Sequence, residues 1–268
     1  MDSPSLPEFE QLLKAAALQV LRLLPLGLFA LPWLIPSLVI DLSPLFMSGP
    51  VNFVTHTIAE GVTGMIALIG MVELFRRSCF AALGAPLPHS PQSLPSGEQW
   101  HLVAQAAIVL VLVMLAAFIL TGFMISSLPG TDDVVLFWAI MVLWPMGRLA
   151  GLVLAYDLLL RLPGTATDMP SDRLMEAVDK GRGMRFMIAL GLTVLIWPLD
   201  AFGAAVQYVL TDGPGSVPFI MGDKIPAEGL PTFSVPSQVL ETLMLPVVTI
   251  CAAVWLSGWL RILDSRKP

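Results

Sequence analysis

Six stretches of this chain, roughly residues 18–40, 51–75, 103–127, 134–160, 185–210 and 239–262, are apolar and long enough to cross a lipid bilayer. About 20 residues suffice for a helix to span the hydrocarbon core. Inside hydrocarbon every backbone N–H and C=O must find its partner within the chain, so such runs fold as helices. This constraint predicts an all-α fold, a single integral membrane domain of six transmembrane helices. Composition agrees with it. Only 13% of the 268 residues are charged, against about 25% in a soluble domain.

The basic residues then orient the spans. Of the 14 Lys and Arg, all but Lys224 and Arg148 fall on one side once the chain is threaded through six crossings. By the positive-inside rule that side is the cytoplasm, with both termini on it. Trp100, Tyr156 and Trp259 near the cytoplasmic ends, and Trp138 and Tyr208 near the outer ends, fit an interfacial aromatic belt. Asp2, Glu8 and Glu10 precede any lysine and no small-x-small cleavage site follows, so the opening residues do not read as a cleaved signal.

Residues 5–24 predict an N-terminal amphipathic helix. Ser5 and Glu8 have capping-box spacing, and Pro7 suits a first turn. Phe9, Leu12, Leu13, Ala16 and Val20 share one face, with Glu8, Gln11 and Arg22 opposite. Two arrangements fit the pattern: a helix lying on the membrane surface, or the start of one long tilted helix. Pro25, Pro32 and Pro36 make the first span irregular. Residues 82–99 read as a mobile Pro/Ser-rich linker and 211–237 as a long, proline-rich outer loop. Within a cytoplasmic loop over 162–183, Ser171 can cap a short helix that groups Leu174, Met175 and Val178.

The membrane segments carry few charges, and these are the candidate binding residues. Leu143-Trp144-Pro145-Met146-Gly147-Arg148 in the fourth span is mirrored by Ile196-Trp197-Pro198-Leu199-Asp200 in the fifth. Each proline removes a backbone hydrogen bond in mid-helix, and each segment ends on a charge of opposite sign. Arg148 lies roughly 21 Å and Asp200 roughly 15 Å from the outer ends of their spans. A long arginine stem covers that difference by snorkelling. The two spans are consecutive and antiparallel, so an Arg148–Asp200 ion pair is expected. Gly147, Gly151 and Ala155 form a small-residue face, with Ala201, Gly203, Ala204 and Ala205 as its expected counterpart on the fifth span.

His56 and Glu60 lie one turn apart on the second span, beside Thr55, Thr57 and Thr63. Their spacing offers at most two metal ligands, while His89 and His101 lie toward the cytoplasmic side. No metal site and no cofactor is therefore expected, and the face reads as polar packing or the wall of an outer vestibule. Glu60 also competes with Asp200 as a partner for Arg148. Glu73 with Arg77, and Asp157 with Arg161, have the spacing of ordinary interfacial pairs. Cys79 and Cys251 fall in or beside separate apolar stretches and read as buried thiols. No nucleophile elbow, Walker loop or zinc-protease motif occurs, and no basic stripe supports nucleic-acid binding.

Arg173-Leu174-Met175-Glu176-Ala177-Val178-Asp179-Lys180-Gly181-Arg182-Gly183, preceded by Leu160-Arg161-Leu162-Pro163, sets a short helix and then basic and glycine residues before a span. Over roughly residues 100–200 this resembles the six-span membrane domain associated with glycerophosphodiester phosphodiesterases, and related bacterial inner-membrane families. The Ser-Trp of that group's basic stretch is missing here, with Lys180-Gly181 and Arg185-Phe186 nearby instead. The resemblance implies a membrane fold, a bacterial inner-membrane location and a lipid-linked role, without an activity. The leading expectation is a non-enzymatic accessory, assembly or lipid-associated membrane protein, whose partners are membrane lipids and other membrane proteins. The alternative is a small-solute or ion transporter or channel subunit using Arg148, Asp200 and Glu60. A membrane enzyme ranks last.

Overall fold

The structure, a computed structural model, describes residues 6–46, 53–86, 97–126, 133–210 and 235–265. Among these residues the chain is helical nearly throughout. In chain order the elements are α1 (Leu6–Leu23), a 3-10 stretch (Leu24–Ala30), α2 (Leu31–Phe46), α3 (Phe53–Leu83) and α4 (Gly97–Ser126). There follow α5 (Asp133–Leu154), α6 (Tyr156–Ala166), α7 (Ser171–Gly181), a 3-10 turn (Arg182–Met184), α8 (Arg185–Leu210) and α9 (Val235–Ser265). Among the described residues, five helical rods are long and apolar enough to cross a membrane, or six if α5 and α6 count as one broken span.

Two features of the path differ from the expectation, and a third decides between the two arrangements left open for the N-terminal helix. The fourth apolar segment is not one straight helix: the chain bends by 72° between α5 and α6. The turn lies at Ala155, and α6 leaves the line of α5 to pack on α4, α9 and α3. Second, the short helix expected within the 162–183 loop is present as α7, but α6 fills the start of that stretch and α7 runs through the turn at 182–184 into α8 as one rod over Ser171–Gly203. Ser171 begins that rod without capping it, since the capping position is Pro170. Third, α1 and α2 form one rod over Glu8–Ile40. Pro25 stands at the start of the 3-10 stretch that joins them, where its missing N–H disfavours regular α-helix. Of the two arrangements left open for the N-terminal helix, the continuous rod is the one present. The expected apolar face of α1 is used for packing, with Phe9, Ala16 and Val20 buried and Phe9 edge-on to Trp255 of α9 at 5.9 Å.

Side-chain registers fix how neighbouring helices run. Ala117 and Val113 of α4 face Gly147 and Gly151 of α5, so those two helices are antiparallel. Gly191 and Gly203 of α8 face Trp255 and Met244 of α9, again antiparallel. Thr249 of α9 meets Met71 of α3, and Cys79 lies beside Ser257, so α3 and α9 run parallel. The start of α1, the ends of α3 and α9, and the bends around α6 and α7 consequently gather at one end of the bundle. That end carries Arg76, Arg77, Arg161, Arg182 and Arg261 and is called the basic end below.

The core sits at the basic end. Trp255, Trp259, Leu160, Val178, Met184 and Ile188 are exposed by 2% or less. Trp255 donates its indole N–H to the carbonyl of Ile188 at 2.7 Å, lying over Gly191, where any larger side chain would occupy the ring's place. Tyr156 donates its hydroxyl to the carbonyl of Val178 at 3.1 Å, with Gly181 leaving room for it. Tyr156 and Trp259 are therefore core residues and not members of an interfacial belt, because α1, α6 and α7 close over them. Met175, expected to pack with Leu174 and Val178, is instead 41% exposed. Cys79 and Cys251 are buried free thiols.

Candidate functional site: an ion pair between two proline-bearing helices

Each of the mirrored segments stays helical through its proline, Pro145 in α5 and Pro198 in α8. A proline in this position deprives the carbonyl four residues earlier of its N–H donor. Three residues after Pro145, Arg148 leaves α5 toward α8; two residues after Pro198, Asp200 leaves α8 toward α5. The two side chains meet fork to fork. Nη1 of Arg148 donates to Oδ2 of Asp200 at 2.5 Å and Nη2 donates to Oδ1 at 3.0 Å. Two parallel charge-assisted bonds are the strongest form of such a pair and also fix its orientation. The side chains of Arg148 and Asp200 are 14% and 27% exposed, so the pair is largely covered by protein.

The glycine beside Arg148 serves another neighbour. A Cβ on Gly147 would come within 2.6 Å of Ala117 Cα, and one on Gly151 within 2.7 Å of Val113 Cα. Gly147 and Gly151 thus pack on α4; of the counterparts expected on α8, the side chains of Ala204 and Ala205 lie outside the described residues. Without a hydrophobic driving force between helices in lipid, such close backbone approach supplies the packing energy. One helix therefore presents two devices a residue apart, a flat glycine face toward α4 and a guanidinium toward α8.

The other site residues are not gathered here. Glu60 is exposed on the N-terminal half of α3, a helix whose main neighbours are α2 and α9. Asp200, not Glu60, is the carboxylate that engages Arg148. Beside Glu60, the Thr63 hydroxyl donates back to the carbonyl of Ala59 at 2.9 Å, the usual fate of a threonine within a helix. His56 falls in α3, but its side chain lies outside the described residues, as do that of Trp138 and all of His89, the linker over 87–96 and the loop over 211–234. Among the described residues no group of three or more metal-binding side chains occurs.

The interfacial pairs resolve differently from one another. Glu73 binds Arg77 at 2.9 Å as its spacing implies, and also meets Arg76 at 3.5 Å, while the Arg77 guanidinium lies 4.0 Å from the Phe29 ring centroid. Asp157 does not pair with Arg161. It faces Arg182 at 3.6 Å, because the bend after Ala155 turns the start of α6 toward the junction of α7 and α8. Sequence reasoning passed over the basic-end core entirely. The signal for it was the set of glycines at Gly164, Gly181 and Gly191, each of which lies where a side chain would collide with Leu174, Tyr156 or Trp255.

No protein-family model matches this chain, and neither a curated protein nor a solved structure matches it.

Proposed function

We propose that this is a non-enzymatic multi-pass protein of the bacterial inner membrane, an accessory or assembly component that works in association with lipids and other membrane proteins. In this reading the chain makes six crossings, with α5 and the bent α6 together supplying the fourth. The basic end, with both chain termini, faces the cytoplasm. The excess of Lys and Arg at that end supports the orientation, and the likeness of the Arg173–Gly183 stretch to a lipid-linked membrane domain supports the role.

The observation that carries the reading is the fork-to-fork bond between Arg148 and Asp200. A solute pathway keeps its charged groups available to the solute. Here the two mid-span charges use both prongs of their hydrogen-bonding geometry on each other, which makes them a fastening between α5 and α8.

The test is flux through reconstituted vesicles. Wild-type protein in liposomes is expected to pass monovalent ions and small charged solutes no faster than protein-free liposomes. A flux that Asp200→Asn abolishes, in a variant that elutes as folded protein, would favour the transporter reading instead.

A further inference from the structure

Among the described arginines, Arg22, Arg161, Arg173, Arg185 and Arg261 make no ion pair. Four of these are exposed, where water solvates them at no cost. Arg161 differs. It is half-buried on α6, and its Nε–H is enclosed by protein with no hydrogen-bond partner. The carboxylate one turn earlier, Asp157, is taken by Arg182. With no ion pair and one N–H shut away from water without an acceptor, the Arg161 guanidinium is poorly satisfied by the protein alone.

The surroundings fit an oxyanion. One turn after Arg161 on the same face of α6 is Thr165, whose hydroxyl donates to Oε1 of Gln105 on α4 at 3.4 Å, a long and weak bond. Hydroxyl and amide side chains both donate to phosphate oxygens, and the arginine fork matches two of those oxygens at once. The bend of 72° lays α6 across the basic end of the bundle, level with α4. In the orientation proposed above, that is headgroup depth in the cytoplasmic leaflet, where anionic lipids concentrate.

We infer that Arg161, with Thr165 and Gln105, forms a binding site for a phosphate group, and that its occupant is the phosphodiester of an anionic phospholipid. This site rests on the lipid-associated reading and gives it a location. Arg161 donates its fork to two phosphate oxygens, Thr165 turns its hydroxyl from Gln105 to a third, and the acyl chains run along the exposed apolar face of α4 formed by Ile108, Val111 and Leu115.

Native mass spectrometry of the full chain, released from detergent after titration with phosphatidylglycerol, phosphatidylcholine or inorganic phosphate, tests the site. Wild type is expected to retain phosphatidylglycerol in preference to phosphatidylcholine. Arg161→Gln is expected to weaken that retention by about tenfold or more, the loss of a charge-assisted pair of bonds. Arg161→Lys keeps the charge without the fork and falls between the two, and Arg173→Gln, an exposed control, binds as wild type does. If Arg161→Gln does not fold, thermal unfolding of the wild type decides: phosphatidylglycerol raises its midpoint and phosphatidylcholine does not. Equal retention by wild type and Arg161→Gln overturns the site while leaving lipid association intact. A wild type with no preference for phosphatidylglycerol overturns both. Retention of inorganic phosphate that the lipid fails to displace keeps the anion site but overturns the lipid as its occupant.

Discussion

The two ends of this bundle are held together by different means. At the basic end, helices from α1 to α9 close over a core of large side chains, with Trp255 and Tyr156 each tied by a hydrogen bond to a neighbouring backbone. Toward the far end the described helices show their apolar side chains to the surroundings: Ile58, Val142, Phe202 and Leu243 are exposed by 48–61%. Lipid solvates such surfaces as well as another helix would, so little drives the helices together there. The pair of Arg148 and Asp200 ties α5 to α8, and the glycine face seats α5 on α4. The first region behaves like the interior of a soluble domain, the second like a membrane bundle with specific fasteners.

Substitutions that separate the two regimes should differ in size. The largest effect belongs to the core: Trp255→Ala removes a ring packed against Phe9 and Trp259 together with its bond to Ile188, and is expected to cost about 3–5 kcal/mol. Loss of the folded peak on size-exclusion chromatography, or a large fall in the thermal midpoint, would be the readout. Next comes Asp200→Ala, which strands Arg148 and should cost about 2.5–3.5 kcal/mol. Exchange of both residues for Met and Leu should recover most of that, since it leaves no unpaired charge. Gly147→Val should cost about 1–3 kcal/mol by pushing α5 off Ala117, detectable as a weakened disulfide cross-link between cysteines placed on α4 and α5. The smallest effect is that of Tyr156→Phe, about 1 kcal/mol for one hydrogen bond, seen as a shift of a few degrees in the unfolding midpoint.

The far half of the molecule was the more legible in the sequence. Apolar length announced the helices, and the depth of two charges on consecutive segments was enough to match Arg148 with Asp200, because an intramembrane charge has few partners to choose from. The same logic did not find the neighbour of Gly147 and Gly151 on α5. A small-residue stripe states that a backbone comes close but not whose, and the partner proved to be α4 on the preceding segment. At the basic end the reading failed for another reason. Tyr156 and Trp259 stand at the ends of apolar runs, where an interfacial belt and a buried core give the same local pattern. Only the bend at Ala155, which turns α6 across the bundle, decides between them, and no proline or glycine at residue 155 announces it. Asp157 lost Arg161 as a partner to Arg182 for the same reason, since a helix-spacing argument assumes that a helix continues.

The contrast between the two ends rests on the ion pair acting as a fastener, and a double-mutant cycle measures that directly. Unfolding midpoints would be determined in one detergent for wild type, Arg148→Ala, Asp200→Ala and the double variant, with the charge-exchanged Arg148→Asp/Asp200→Arg alongside. Each single variant is expected to be markedly destabilised, the double variant to be no worse than either single one, and the exchanged pair to recover part of the wild-type midpoint. Single variants as stable as wild type, or losses that simply add in the double variant, would contradict the pair's role as a fastener.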